Sequence, residues 1–322
     1  MLQGTVSNFS WVIPAYAQKL PRMVYALAHG ANGNVVSSYK IAPAGASLSQ
    51  ATSSAPVANG AVSVTVHPSR RFAYVTNASS FGAPGAAPGI APNSVSVYQL
   101  DATTGAISGP TDTKPANGNP ISTVVHPTGR FVYVVNEERF GATVGNVSVY
   151  SIDSTTGALT AQGTAADIGG SPATAIAFHP SGEFAYVTYM PPDPTNAQNF
   201  DTVKTFAVDH TTGMLTGPIG TAPTGDNPWA MVVTPGGHFA YVASLSTQGN
   251  VSQLSTYAVN QTTGVLVLTG SRSPASSPSA PTVEAVVEVE EAAVAVARHP
   301  RPRPQRRTCS PSTSTPPGAA TS

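Results

Sequence analysis

A two-part phrase recurs five times along this 322-residue chain, and a unit repeated at that spacing sets the architecture before any single residue sets the chemistry. Its clearest copy reads Val125-His126-Pro127-Thr128-Gly129-Arg130-Phe131-Val132-Tyr133-Val134, then Val147-Ser148-Val149-Tyr150-Ser151-Ile152-Asp153 with Thr155-Thr156-Gly157. The register aromatics Tyr39, Tyr98, Tyr150, Phe206 and Tyr257 stand 51 to 59 residues apart, too far for helical-hairpin solenoids and close to one four-stranded propeller blade. The first phrase returns at His67-Pro68, at His179-Pro180 and, with Thr234 replacing His, at Thr234-Pro235. Each copy is a β-branched and aromatic run stopped by Pro and Gly, which predicts two strands around a tight turn. The second phrase alternates apolar with small polar residues and ends in Asp and Thr-Gly, as at Asp101 with Thr104-Gly105 and Asp209 with Thr212-Gly213. There the carboxylate can cap its own turn and the Gly can take positive φ, opening a hairpin into a fourth strand. The prediction is an all-β propeller of four-stranded antiparallel blades, with about five units readable over residues 22–270. No segment carries a helical period.

The composition agrees. With 41% hydrophobic residues, 29 Gly and 30 Pro, the chain suits many short strands joined by turns. Charged residues are 9% with zero net charge, so no basic surface points to nucleic acid. No apolar run approaches the ~20 residues of a membrane helix. The single cysteine, Cys309, leaves no disulfide and no cysteine metal site within one chain. Ala15-Tyr16-Ala17 has the small-x-small form of a cleavage site, but no Lys or Arg precedes it, so cytoplasmic and exported locations both stay open for a segment 1–21 that otherwise reads as an irregular lead-in.

After Gly270 the repeat grammar fails. Residues 271–322 pass from a Ser/Pro/Ala stretch through an Ala/Val/Glu run to four Arg between Arg301 and Arg307, a composition expected of a disordered tail. A second reading takes the tail as out-of-frame, because Thr308 to Ala319, back-translated and shifted by two bases, resembles the Val-Ser-Val-Tyr phrase with its Asp and Gly. Val294 to Pro300 resembles a lone first strand ending in His-Pro, which could close against the first unit, where none precedes Met23.

These phrases, Phe72-Ala73-Tyr74-Val75-Thr76-Asn77, the turn from His126 to Phe131, and Val-Ser-Val-Tyr with Asp and Thr-Thr-Gly, resemble the seven-bladed β-propeller lactonase family. That family includes 6-phosphogluconolactonases and carboxy-muconate lactonising enzymes, and YVTN-repeat surface propellers are related to it. The resemblance covers about residues 22 to 270 and implies seven blades and a lactone hydrolase. The sequence shows no metal triad, nucleophile elbow or phosphate-binding Gly loop, so no cofactor and no metal are expected.

Antiparallel blades separate two ends. The His-Pro and Thr-Gly turns share one end and hardly vary, whereas the loops Ala78–Pro92, Glu137–Gly145, Met190–Asp201 and Leu245–Asn250 share the other and differ in every copy. Binding chemistry is expected on the variable end. His67, His126 and His179 repeat with the blades and read as turn-stabilising groups, and His210 reads as an exposed turn residue. Departures from the repeat are more informative. Asn136-Glu137-Glu138-Arg139 resembles the Asn-Glu found at that place in 6-phosphogluconolactonases, and it supplies the catalytic candidates: Glu137 to activate water and Arg139 to clamp an anion. Glu138, Asp226, Trp229 and His29 are the expected substrate-binding residues at the same end. The Arg-His pair that the lactonases carry where strand A begins is absent from Asn119-Pro120, Ser171-Pro172 and Asn227-Pro228. The expected partner is therefore a small lactone or carbohydrate bound by a monomer, with a non-catalytic propeller binding a glycan or protein through its loops as the alternative, and a frame-damaged product that folds poorly as a third reading.

Overall fold

The computed structural model describes residues 10–12, 23–30, 33–41, 48, 51–58, 60–78, 93–136, 145–165, 173–190, 201–245, 252–272, 285–289 and 292–296. A short strand β1 (Ser10–Val12) precedes the blades. Blade one holds β2 (Met23–Gly30), β3 (Gly33–Lys40) and β4 (Ser53–Pro56). Blade two holds β5 (Ala61–Val66), β6 (Phe72–Asn77), β7 (Ser94–Leu100) and β8 (Ile107–Pro115). Blade three follows with β9 (Pro120–Val125), β10 (Phe131–Asn136), β11 (Asn146–Ile152) and β12 (Leu159–Ala165). Blade four consists of β13 (Ala173–Phe178), β14 (Phe184–Tyr189), β15 (Thr202–Val208) and β16 (Leu215–Pro223). Blade five consists of β17 (Pro228–Val233), β18 (Phe239–Leu245), β19 (Ser252–Val259) and β20 (Leu266–Arg272). Within each blade consecutive strands pair antiparallel in the order A, B, C, D, and the A strands of blades two to five pack in succession. The described residues contain no helix.

Alternation along the central strands gives every blade two apolar faces, one for each neighbour. Phe72, Tyr74, Val95 and Val97 of blade two meet Val132, Val134 and Tyr150 of blade three. Phe131, Tyr133, Val147 and Val149 of blade three then meet Ala185, Val187, Tyr189 and Phe206 of blade four. The conserved-looking corners bolt these seams. His67 Nε2–H donates to the Gly129 carbonyl of the next blade at 2.8 Å, and His126 Nε2–H donates to Gly182 at 2.9 Å. The Nδ1 of His67 accepts the Ser69 N–H at 3.0 Å, so the ring is the neutral tautomer, and burial pushes both histidines below their ordinary value. Tyr74 and Tyr133 donate to the carbonyls of Gly157 and Gly213, while Tyr98, Tyr150 and Tyr257 donate backwards to Pro56, Pro115 and Pro223. The Gly of each Thr-Gly turn has positive φ; Gly157, Gly213 and Gly264 lie under the preceding blade's Phe, so that a Cβ on Gly157 would stand 2.5 Å from the Phe72 ring, whereas Gly105 lies against the Met23 side chain. His67 and His126 are thus spent on structure, whereas His179 is held in its own turn by Ser181 at Nδ1 and its buried Nε2 reaches no partner. His210 is more engaged than an exposed turn residue, standing 3.0 Å from Glu183 and 5.9 Å, ring to ring, from His126.

At the Thr-Gly corners, Asp101 Oδ1 accepts the Thr103 and Thr104 N–H groups at 2.9 and 2.7 Å, which holds this exposed carboxyl below the usual range. Asp153 and Asp209 do the same, and Asn260 takes the role in blade five.

One feature differs from the sequence reading. Of the segment Val294–Pro300 that could close on the first unit, Val294–Val296 belong to β22 (Ala292–Val296), which pairs instead with β1 on one edge and with β21 (Ala285–Val289) on the other, and the rest lies outside the described residues. Val294 to Val296 are then paired on both edges, and blade one stays three-stranded among the described residues. Blade five also presents its outer face: Phe239 is 46% exposed where the equivalent Phe72 is 0%.

Candidate functional site

With the His-Pro and Thr-Gly end consumed by seams, the opposite end carries the side chains that break the repeat. At that end of strand B, five residues after its Phe, successive blades carry Asn77, Asn136, Tyr189 and Ser244. In blade two the buried Asn77 amide donates to Ser94 and Ser96, at 3.1 and 3.0 Å. In blade three the Asn136 amide donates to Asn146 and Ser148, both at 2.8 Å. In blade four the place belongs to Tyr189, with the Lys204 ammonium 4.7 Å from its ring centroid. Blade five has Ser244 and Ser255, whose buried hydroxyls reach no partner.

Asp201 enters this end just before β15. Its carbonyl accepts the Thr224 N–H at 3.0 Å, repeating the bond that Asn93 makes to Ala116 and Asn34 makes to Val57. Its carboxylate Oδ2 accepts the Asn227 N–H at 2.9 Å, and Oδ1 is enclosed without a partner. Burial, reinforced by the neighbouring Asp226 charge and only partly offset by the Asn227 N–H, pushes Asp201 up to about 6. Asn227 holds a left-handed φ of 54°, the strain tolerated by Asn at a point where the chain enters the innermost strand.

Relative to the unfolded chain, the fold thus favours the neutral acid. Between about pH 4, where a free Asp titrates, and about 6, the native state holds the extra proton, so stability falls as pH rises through that window. Asp201→Asn, in chelator-treated buffer, is expected to be more stable than the parent above about pH 6 and no different below about pH 4, as read from urea unfolding at both ends. Equal stability at the upper end would show Asp201 to be free of a burial penalty.

Of the residues expected from the sequence, Asp226 is exposed and Trp229 half-buried at the entry to β17. The pairing with β18 shifts register between Pro228 and Ala230, so Trp229 is the extra residue of a bulge at the variable end. His29 lies near the end of β2, opposite Asn34. Glu137, Glu138 and Arg139 lie outside the described residues, directly after Asn136 in the chain. Asp201, Asn227 and Ser244 were not singled out, although comparing repeats could have found the first: the same position carries Asn34, Asn93, Gly145 and Ser252 elsewhere, and a carboxylate only here. Among the described residues no three His, Cys, Asp or Glu side chains converge as a metal cluster.

The family model for "Lactonase, 7-bladed beta-propeller" matches residues 85–190 and 173–285, together more than half of the chain. The chain belongs to this lactonase family. Solved structures agree on the fold. A Bacteroides uniformis protein named as a candidate 6-phosphogluconolactonase superposes with a TM-score of 0.52 at 16% identity, over 82% of this chain and 95% of that one. The periplasmic gluconolactonase of Pseudomonas aeruginosa gives 0.50 at 15% identity, over 83% of each chain. A functionally unknown protein of Desulfotomaculum acetoxidans gives 0.56 at 16%, over 81% of this chain and 69% of that one. No curated protein matches the chain in sequence. At these identities the likenesses speak for the lactonase propeller's architecture and leave its chemistry to the residues.

Proposed function

We propose that this propeller hydrolyses a small sugar or carboxylic-acid lactone at its variable-loop end. The observation that carries the reading is the division of labour between the ends: neutral histidines and Thr-Gly corners are tied up in seams, while Asp226 and Trp229 stay accessible at the other end, where the chain continues from Asn136 into Glu137-Glu138-Arg139. Hydrolysis needs a base for water and a cationic or N–H partner for the developing oxyanion around one carbonyl. Glu137 is assigned the first task and Arg139 the second, with Arg139 also able to hold a substrate phosphate or carboxylate. Glu138 and His29 add polar contacts, Asp226 accepts sugar hydroxyls, and the Trp229 face stacks on the ring. The test is turnover of 6-phosphogluconolactone, gluconolactone and a muconolactone above the spontaneous rate. A folded protein that turns over none of them, yet binds glycans or peptides through the same end, would establish the non-catalytic reading, which is favoured by one observation: the described strand-A entries Asn119-Pro120 and Asn227-Pro228 bring neither His nor Arg.

A further inference from the structure

We infer that the seam between blades four and five holds a calcium-type divalent cation, bound by oxygens of Asp201, Asn227 and Ser244. The three residues are stitched together by the backbone: the Asn227 N–H is fixed by Asp201 Oδ2 at 2.9 Å, and the Asn227 carbonyl accepts the Leu245 N–H at 3.0 Å, one residue from Ser244. The connecting loop runs tightly over them, since a Cβ on Gly225 would stand 3.0 Å from the Ser244 Cβ. Alternation sets the side chains at this seam. Asp201 shares its face with Val203, and Ser244 shares its face with Ala240 and Val242, all packed in one cluster between these blades.

What these side chains present is a set of enclosed oxygens with nothing to bind. Asp201 Oδ1, Asn227 Oδ1, Ser244 Oγ and, one step deeper, Ser255 Oγ are all buried without a hydrogen-bond partner. Ser244 and Ser255 are each 1% exposed. Orphaned oxygens at that burial are costly; in blades two and three the Asn77 and Asn136 amides at least donate to the C strand, although their own Oδ1 atoms are also buried without a partner, whereas blade five has no such donor at this position. Serine is too short to make that reach. The deficit is thus of donors or positive charge, and Asp226 brings a second carboxyl group close enough to act on Asp201. A hard cation satisfies several oxygens at once, and an all-oxygen set without nitrogen or sulfur selects calcium or magnesium over zinc or copper. Calcium fits better, since it accepts irregular sets of 6–8 oxygens completed by water and backbone carbonyls, whereas magnesium demands a near-ideal octahedron. This site does not depend on the hydrolytic reading, and its readout is stability rather than turnover.

The experiment uses the full chain, stripped with a chelator, and follows thermal unfolding in calcium chloride, magnesium chloride, or sodium chloride of equal ionic strength. Saturating calcium is expected to raise Tm by about 5–10 °C, the size that a ligand at ~100 times its Kd gives a domain of this length. Asp201→Asn is expected to lose the response and still fold, because Asn34 and Asn93 hold the same position in blades one and two. Ser244→Asn is expected to lose it too, by rebuilding the amide bridge of Asn77, so two unrelated changes report on one site. No calcium shift, an equal shift with magnesium or sodium, or a shift that persists in both variants would leave only water among these oxygens and overturn the proposal.

Discussion

Phe131→Ala is expected to destabilise the protein by about 3–5 kcal/mol, and Phe239→Ala, the same change at the same repeat position, by less than about 1 kcal/mol. The difference follows from what lies beyond each ring. Phe131 is 3% exposed, makes edge contact with His126 at 6.3 Å between centroids, carries the Arg130 guanidinium at 5.4 Å, and covers Gly213 of the next blade so closely that a Cβ there would stand 2.6 Å from it. Truncation leaves a cavity that two rigid sheets cannot collapse into, so the transfer loss and the cavity term add. Phe239 is 46% exposed, and water already occupies much of that space. Urea unfolding of both variants, compared through their midpoints at equal slope, measures the two costs. Equal costs would mean that Phe239 is covered as fully as Phe131, and the outer face of blade five would then be a seam like the others.

The blades were legible in the sequence because every seam uses the same residues. An aromatic and a glycine repeat at fixed offsets, with a histidine in blades two to four and Thr234 in blade five, so the spacing gives the blade unit, and the structure joins successive units through contacts such as Tyr133 with Gly213 across 80 residues. The role of the histidines followed from the same logic, since a group needed at every seam cannot be the unique centre of a reaction. Two things were hidden. The pairing of β22 with β1 and β21 depends on which short apolar strands find each other, and runs such as Ala292–Val296 have no side-chain code that selects a partner. The Asp201, Asn227 and Ser244 group was hidden because its members come from two blades and three separate segments. Each substitution of the consensus is mild by itself. Only the fold shows that losing the Asn77-type amide at Ser244 coincides with gaining a carboxylate at Asp201.

Glu137→Gln is expected to reduce kcat/KM for the lactone by about 10²–10⁴-fold, the range removed with a positioned general base, while leaving Tm unchanged. The replacement keeps the shape and hydrogen-bonding length of the side chain and removes only its capacity to take a proton from water. The loss should therefore fall on kcat, and the limb of the pH–rate profile that reports deprotonation of the base should flatten. Arg139→Ala should behave differently. If the guanidinium holds a phosphate or carboxylate in both ground and transition states, KM rises for the anionic lactone and changes little for an uncharged one, whereas a role at the oxyanion lowers kcat for both. Measuring the two variants on 6-phosphogluconolactone and on gluconolactone separates these outcomes. Turnover that survives Glu137→Gln undiminished would remove Glu137 as the base and send the search to another acidic side chain of the variable end, where Glu138 would be next in line.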